Sequence, residues 1–388
     1  MSIAVSFIVV LLIAAACILL IVKGPKKVRE KLRHLIDGNG ETHTEIKKHR
    51  IKSIAVLGGL FSLVLVISSL CVGPTKVIAP WDAFGSIYSV LCNGVQTADE
   101  SLIIYDRLPR TIAAFGVGIG LSLAGIMYQA VIRNPLCDPY IMGISSGAGM
   151  AAVAAIVFDF SLFGLLSQQS PYTTAILAII GGLLAFFLTT LLAERAGGTT
   201  NSYVLSGVVI GLIFSAIQTI MIVFAGNKVS SALLWLFGSF ANVSWSKAVL
   251  VLLPVLVLSL FAMKWAKEYN LILLGENQAR QMGLNTHRFS VSMLILASVI
   301  TSICVAFVGI IGFVGLVVPH LCRMMFGGDH RLLMPSSMLI GGSLMILADL
   351  AARILDPGVE LPVGSITTLI GVPVFAYLLF KKGKMYNE

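Results

Sequence analysis

The sequence predicts an all-α protein, a polytopic bundle of membrane-spanning helices, and three observations carry that reading. Of 388 residues, 57% are hydrophobic and only 12% are charged, with a mean hydropathy of +0.95. Soluble domains carry about 25% charged residues, so this chain could not cover a water-exposed surface. The apolar residues come in blocks of about 20, the length a helix needs to cross a hydrocarbon core of ~30 Å. The basic residues fall between those blocks and mostly on alternate loops, which is how bilayers orient helices. The net charge of +9 therefore encodes topology. It does not point to nucleic acid, because the basic stretches are short and carry no interleaved aromatics.

The elements follow in order. Residues 3–22 are apolar, lack a basic lead and are too long for a cleaved signal. Residues 1–22 are thus expected to be an extra, retained N-terminal transmembrane helix. Residues 23–52 hold ten Lys/Arg and four acids around Gly38-Asn39-Gly40, the composition of a basic cytoplasmic linker. Residues 53–388 hold ten further crossings, at 54–72, 111–130, 141–158, 173–192, 203–225, 248–263, 289–308, 312–325, 332–350 and 365–380. They are core helices one to ten. The eighth is short, and Gly309, Gly312 and Gly315 crowd its start.

With the linker inside, 21 of the 27 Lys/Arg lie on the inner face and six on the outer. The core then starts and ends in the cytoplasm, and Met1 lies outside. Ten crossings divide into two blocks of five, and an odd-numbered block that repeats must be inverted.

Several kinds of chemistry are missing. There is no GxxxxGK[ST], so no P-loop, and no HExxH or Cys/His cluster of metal-binding spacing. No catalytic residue, metal or cofactor is expected, and any ATP must be hydrolysed by another subunit. None of the six cysteines forms a CxxC pair. They read as small packing residues, although Cys71 and Cys92 both fall near the outer face, where a disulfide is available to them. Gly143-Ile144-Ser145-Ser146-Gly147 matches GxSxG, but it opens a membrane helix rich in small residues. Close helix contact explains it better than a hydrolase elbow with His320 as base. An ion-coupled secondary transporter would want acids at mid-membrane; here the acids lie in loops or near helix ends.

Two patterns remain. Helix five carries Gly207, Gly211, Ser215 and Gln218 along one face, and helix ten carries Gly364, Thr368 and Gly371. Such stripes serve either helix packing or the wall of a translocation path. In the longest inner loop of the core, Gly275 to Gly283 reads as a short helix. Glu276 sits at its positive end, Arg280 four residues on, and Gly283 at its stop. Ala279 and Met282 are expected to share one face, suited either to a partner subunit or to lipid headgroups.

A run of motifs then resembles the FecCD family of importer permeases. They are Arg107-Leu108-Pro109-Arg110; Gly125, Gln129 and Arg133-Asn134-Pro135-Leu136-Cys137-Asp138-Pro139 leading to Gly143; Leu274-Gly275-Glu276 with Ala279 and Met282-Gly283; Gly312-Phe313-Val314-Gly315 to Pro319-His320; Asp329-His330-Arg331; Ala348-Asp349 with Arg353; and Glu360-Leu361-Pro362-Val363-Gly364. The resemblance spans about residues 54–384. Cys137 stands where the family usually has alanine, and Asn277 replaces a second acid of the loop helix.

The resemblance implies a multi-pass protein of the cell membrane that pairs with a second copy of itself. It implies two ABC ATPase subunits below, an extracytoplasmic substrate-binding protein above and membrane lipid around. The cargo implied is a metal chelate of the iron(III)–siderophore type, with cobalamin or haem as alternatives. Alternating access would be driven by the ATPases. Gly275, Glu276, Ala279, Met282 and Gly283 would form the coupling element seated on the ATPase. Thr200 and Asn201 would form a cytoplasmic gate. Gly207, Gly211, Ser215, Gln218, Thr368 and Gly371 would line the path. Arg107, Arg110 and Arg353 would project from the outer face to receive acids of the binding protein; their local alternatives are Arg353 with Asp349, and Arg107 with Asp106 or lipid phosphate.

Overall fold

The structure is a computed structural model that describes residues 43–74, 76–159, 171–241, 243–355 and 360–373. The expected extra helix at 1–22, most of the basic linker, the placement of Met1 and the end of core helix ten lie outside the described residues.

Among the described residues the chain is helical, with one isolated bridge between Val72 and Val77. The helices are α1 (His43–Cys71), α2 (Pro80–Asn93), α3 (Ala98–Ser101), α4 (Leu108–Val131), α5 (Ile144–Phe158), α6 (Pro171–Arg195), α7 (Thr200–Val223), α8 (Val229–Phe237), α9 (Trp245–Met263), α10 (Ala266–Ile272), α11 (Glu276–Gln281), α12 (Thr286–Val308), α13 (Val314–Phe326) and α14 (His330–Ile354). A last helix, α15 (Val363–Pro373), follows. Each expected core segment coincides with a helix. Seven spans are long and apolar enough to cross a membrane, whereas α5, α13 and α15 are shorter. The chain is a multi-pass helix bundle.

Three departures from the sequence reading have local causes. Helix α1 begins at His43, ten residues inside the expected linker. The segment after Gly40 contains no Gly or Pro before Gly58 and is rich in Glu, Lys and Arg, all good helix formers. The outer connection 73–107, expected as loop, carries α2, α3 and a π-helical turn at Leu102–Arg107 that runs into α4. Pro80 opens α2, and Thr97 and Glu100 form a reciprocal capping box on α3. On α2, Trp81, Phe84, Tyr88 and Leu91 are exposed, an aromatic face suited to a headgroup interface. Cys71 and Cys92 are unpaired thiols, Cys71 buried and Cys92 exposed. The disulfide is not formed.

Helix α4 is the hub. Twenty-one of its 24 residues are buried, so it is apolar on all sides because it meets protein on all sides. Small residues allow this. A Cβ on Gly118 would run into Gly341 O of α14, and one on Gly125 into Gly315 O of α13. Gly147 of α5 and Gly181 of α6 are reciprocal in the same way, each blocked by the other's carbonyl. In lipid no hydrophobic force draws helices together, so close backbone approach supplies the packing energy. The GxSxG match is thus a helix-packing device.

Candidate functional site: an inner cleft and an outer charge cluster

The inner site begins where α4 ends. Arg133 adopts a left-handed conformation, φ +53°, which turns the chain sharply out of the helix. Asn134 Oδ1 accepts from the Leu136 N–H at 3.0 Å. Asp138 Oδ1 accepts from the Tyr140 N–H at 2.9 Å and caps a 3-10 turn, Pro139–Met142, that leads through left-handed Gly143 into α5. Desolvation pushes the Asp138 carboxyl up to about 6, against the hydrogen bond from Tyr140. Gln129 braces the turn from within α4. Its Nε2 donates to Cys137 O at 3.2 Å, and its Oε1 accepts from Arg323 Nη2 at 3.0 Å.

Opposite this turn lies α11. Gly275 precedes it at φ +111° and Gly283 follows at φ +89°. The Leu284 N–H donates to Ala279 O and the Gly283 N–H to Arg280 O, both at 3.0 Å, the paired bonds of a Schellman stop. Glu276 joins Arg133 at 2.7 Å and Arg280 at 3.7 Å; Arg280 Nε also donates to Thr286 Oγ1 at 2.9 Å. The helix is therefore tied both to the α4–α5 turn and to the start of α12.

Between these elements and the α6–α7 turn lies a polar cleft of about 630 Å³, whose lining includes Arg133, Glu194, Thr200, Asn201, Glu276 and Arg280. The expected gate residues and two charged residues of the expected coupling helix thus share one cavity. Thr199 caps α7 by accepting from the Ser202 N–H at 3.2 Å, which places Thr200 and Asn201 in the first turn at the cleft wall. One expectation fails here. Ala279 is fully buried against its own chain while Met282 is 62% exposed, because Met282 ends the helix and no longer shares its face. Leu273 and Leu274 are exposed beside it. Sequence reasoning left Arg133 and Glu194 without a role; the charge complementarity of Arg133 and Glu276 was visible, but their proximity was not.

The stripe on α7 packs inward. A Cβ on Gly207 would strike Ile141 O, Ser215 Oγ donates to Ser146 Oγ at 3.1 Å, and Gln218 Oε1 lies against Gly149. Gly211 faces Gly143 and Ser146. On α15, Gly371 packs on Phe313 and Thr368 Oγ1 donates to Gly364 O at 2.7 Å. Within this chain both stripes make helix contacts and do not line an open path. The exposed side of α7 is apolar instead, with Leu205, Val208, Leu212 and Ile220.

The outer arginines are corrected more sharply. None projects to the surface. Arg107 is 1% exposed. It caps the C-terminus of α1, donating to Leu70 O (2.6 Å) and Cys71 O (3.0 Å), carbonyls that have no partner within the helix, and it also donates to Lys76 O (2.7 Å) in the segment that follows. Arg110 pairs with Asp349 at 2.7 Å and with Glu360. Arg353 pairs with Asp349 at 3.2 Å, as its local alternative anticipated, and donates to Ser69 Oγ at 2.7 Å. Ser239 Oγ donates to Glu360 at 3.2 Å. Two arginines and two acids thus close on one another and fasten α1, α4, α14 and the start of α15. The physical reason is that a buried guanidinium needs acceptors or an opposite charge, and the interior supplies Asp349, Glu360 and Ser69.

Comparison with known proteins identifies the group. The family model described as the FecCD transport family matches residues 60–381. The cobalamin import system permease protein BtuC of Halobacterium salinarum is 38% identical over 302 residues, 77% of this chain and 79% of that one. The vitamin B12 import system permease protein BtuC of Escherichia coli O1:K1 / APEC is 35% identical over 343 residues, 87% of this chain and 98% of that one. Among solved structures, an inward-facing chain assigned to the metal-chelate type of ABC transporter superposes with a TM-score of 0.73 at 30% identity, over 85% of this chain and 99% of that one. With the bundle, the polar cleft and these matches in hand, the chain belongs to the FecCD transport family: it is an ABC-transporter permease, a multi-pass protein of the cell membrane whose work is transport and not catalysis.

Proposed function

We propose that the chain is the membrane-spanning subunit of a binding-protein-dependent importer that carries a cobalamin-type metal chelate by alternating access. One observation supports the mechanism above the rest. The short helix α11, flanked by exposed Leu274 and Met282, is tied by Arg133–Glu276 to the turn between α4 and α5, and shares a cleft with Thr200 and Asn201. A push on α11 from an ATPase subunit would therefore reach the inner ends of α4, α5, α7 and α12 together. Glu276, Met282 and Gly283 form the contact in this reading, with Gly275 and buried Ala279 holding its shape.

The core is proposed as ten crossings in two inverted five-helix halves. Its third and eighth helices, α5 and α13, support this. They stand five apart, are both short, and both follow a left-handed residue, Gly143 at φ +76° and Phe313 at φ +69°. Two copies of the chain, two ATPases and an extracytoplasmic binding protein complete the assembly. The path is proposed to run along the exposed apolar side of α7, between copies, and a wall of weakly interacting side chains suits a large cargo.

For the cargo, the cobalamin-system relatives favour cobalamin over the iron(III)–siderophore chelate expected first. Uptake in proteoliposomes holding the permease, its ATPase and its binding protein tests this. ATP-dependent accumulation of cyanocobalamin, unaffected by excess ferric siderophore, is expected. Accumulation of a ferric chelate or an oxyanion in its place overturns the cargo, and uptake without ATP overturns the class.

A further inference from the structure

A second inner cavity lies away from the cleft. It holds about 190 Å³ between the end of α9, the start of α10 and the start of α14, lined by Lys264, Lys267, His330 and Arg331 together with Met263 and Met334. Lys264, Lys267 and Arg331 are exposed. Among the described residues none of the three reaches a carboxylate at ion-pair distance. The adjacent acid, Asp329, is occupied: its Oδ1 accepts from Asn270 Nδ2 at 2.8 Å and from the Arg331 N–H at 3.0 Å. Three cations, one from each of these three elements, thus surround a small cavity whose lining holds no carboxylate.

His330 adds specificity. It is 1% exposed. Because Asn270 gives its amide N–H to Asp329, its Oδ1 must face His330, where it accepts the backbone N–H at 2.9 Å and lies 2.8 Å from Nδ1. The proton therefore sits on Nδ1, and Nε2 carries a lone pair. That Nε2 is buried without a hydrogen-bond partner, an arrangement that costs free energy until a donor arrives.

The surroundings name the source of the anion. On α9, Leu253, Val257, Leu260 and Phe261 are exposed, spaced so that they form one apolar stripe. Lys264 continues that stripe by one turn, into the cavity. A ligand with its phosphate at the lysines would lay a hydrocarbon chain along α9. We propose that this cavity binds an anionic inner-leaflet phospholipid with a hydroxylated headgroup, of the phosphatidylglycerol type. Its phosphodiester sits among Lys264, Lys267 and Arg331, a headgroup hydroxyl donates to His330 Nε2, and one acyl chain follows the α9 stripe. The inference rests on the inner orientation of these residues and is independent of the cargo.

The test uses the full chain in mixed-lipid nanodiscs, with bound lipid read by native mass spectrometry. Phosphatidylglycerol should be retained roughly a hundredfold over phosphatidylcholine, as three interfacial cations allow. The Lys264→Gln/Lys267→Gln/Arg331→Gln variant, changed only at exposed positions, should lose that preference while keeping its thermal stability without added lipid. Phosphatidylmethanol, an anionic phosphodiester with no hydroxyl, should bind more weakly than phosphatidylglycerol. Soluble glycerol phosphate at millimolar concentration should not compete. Equal retention of both lipids, or an unchanged preference in the triple variant, overturns the site. Competition by glycerol phosphate overturns the lipid source, and equal binding of phosphatidylmethanol overturns the role given to His330. Loss of ATPase co-purification in the triple variant with lipid preference intact would mark the surface as a protein contact and overturn the proposal.

Discussion

The outer and inner ends of the bundle hold the same kinds of charge and use them in opposite ways. Outside, the side chains of Arg110, Asp349 and Arg353 are 6%, 0% and 4% exposed and pair with one another. Inside, those of Arg133, Glu276 and Arg280 are 35%, 49% and 60% exposed and face a cleft. Burial decides what each pairing can do. An exposed pair contributes about 0–1 kcal/mol and can open and reform during a transport cycle. A buried pair contributes little net on forming, but losing one partner strands the other at a cost of about 3–5 kcal/mol. The outer ends of α1, α4 and α14 are thereby fixed as one body, whereas the inner end keeps a joint.

The largest effect should come from breaking the outer cluster. Asp349→Asn removes the carboxylate shared by Arg110 and Arg353 and leaves two buried guanidiniums with Glu360 and Ser69. We expect about 3–5 kcal/mol of lost stability, seen as lowered thermal unfolding and poor monodispersity in detergent. Glu276→Gln at the inner end should cost under about 1 kcal/mol in the same assay. Equal losses in the two variants would end the distinction between brace and joint.

A smaller effect is expected at Gly283. Nothing lies within 4 Å of the position its Cβ would take, so space is no obstacle, but φ is +89°. Gly283→Val must therefore strain or rebuild the Schellman stop, a backbone cost of roughly 1–2 kcal/mol confined to the loop. The variant should insert and fold normally while binding-protein-stimulated ATP hydrolysis falls severalfold. Normal stimulation would show that the stop of α11 plays no part in coupling.

How much of this was legible in the sequence depends on whether the signal is local. The ten core segments could be read from hydropathy, since each helix satisfies its own backbone in lipid. Helices α2 and α3 could have been found from Pro80 and from the Thr97–Glu100 capping box, but the scarcity of long apolar runs there hid them. The outer arginines were misread because their partners are remote in sequence: Arg110 meets Asp349 and Glu360 more than 230 residues away, and no spacing rule reaches that far. The stripe on α7 was ambiguous for a related reason. Small residues permit close packing and smooth paths alike, and only Ser146 and Ile141, on a neighbouring element, decide which. The loop helix at 276–281 was readable, because its start and stop lie within a few residues of one another.

The smallest effect on stability, and the finest test of the joint, lies in the Arg133–Glu276 pair. At 2.7 Å and half exposed, it should add no more than about 1 kcal/mol, so removing it hardly disturbs the fold. Its importance is geometric, since it is a direct side-chain link between the α4–α5 turn and α11. Arg133→Glu alone should set two carboxylates side by side and reduce uptake several times, with basal ATP hydrolysis retained. Glu276→Arg alone should crowd Arg133 and Arg280 and do the same. The double variant restores an opposite-charge pair across the same gap, and the left-handed backbone at 133 admits glutamate about as readily as arginine. Uptake should then recover most of the loss. Raising the salt to about 1 M should weaken both the native and the swapped pair, because the Debye length then falls to about 3 Å, comparable to the span of the pair. A double variant as poor as either single one would show that the two side chains act separately, and that α11 moves the core helices by some contact other than this one.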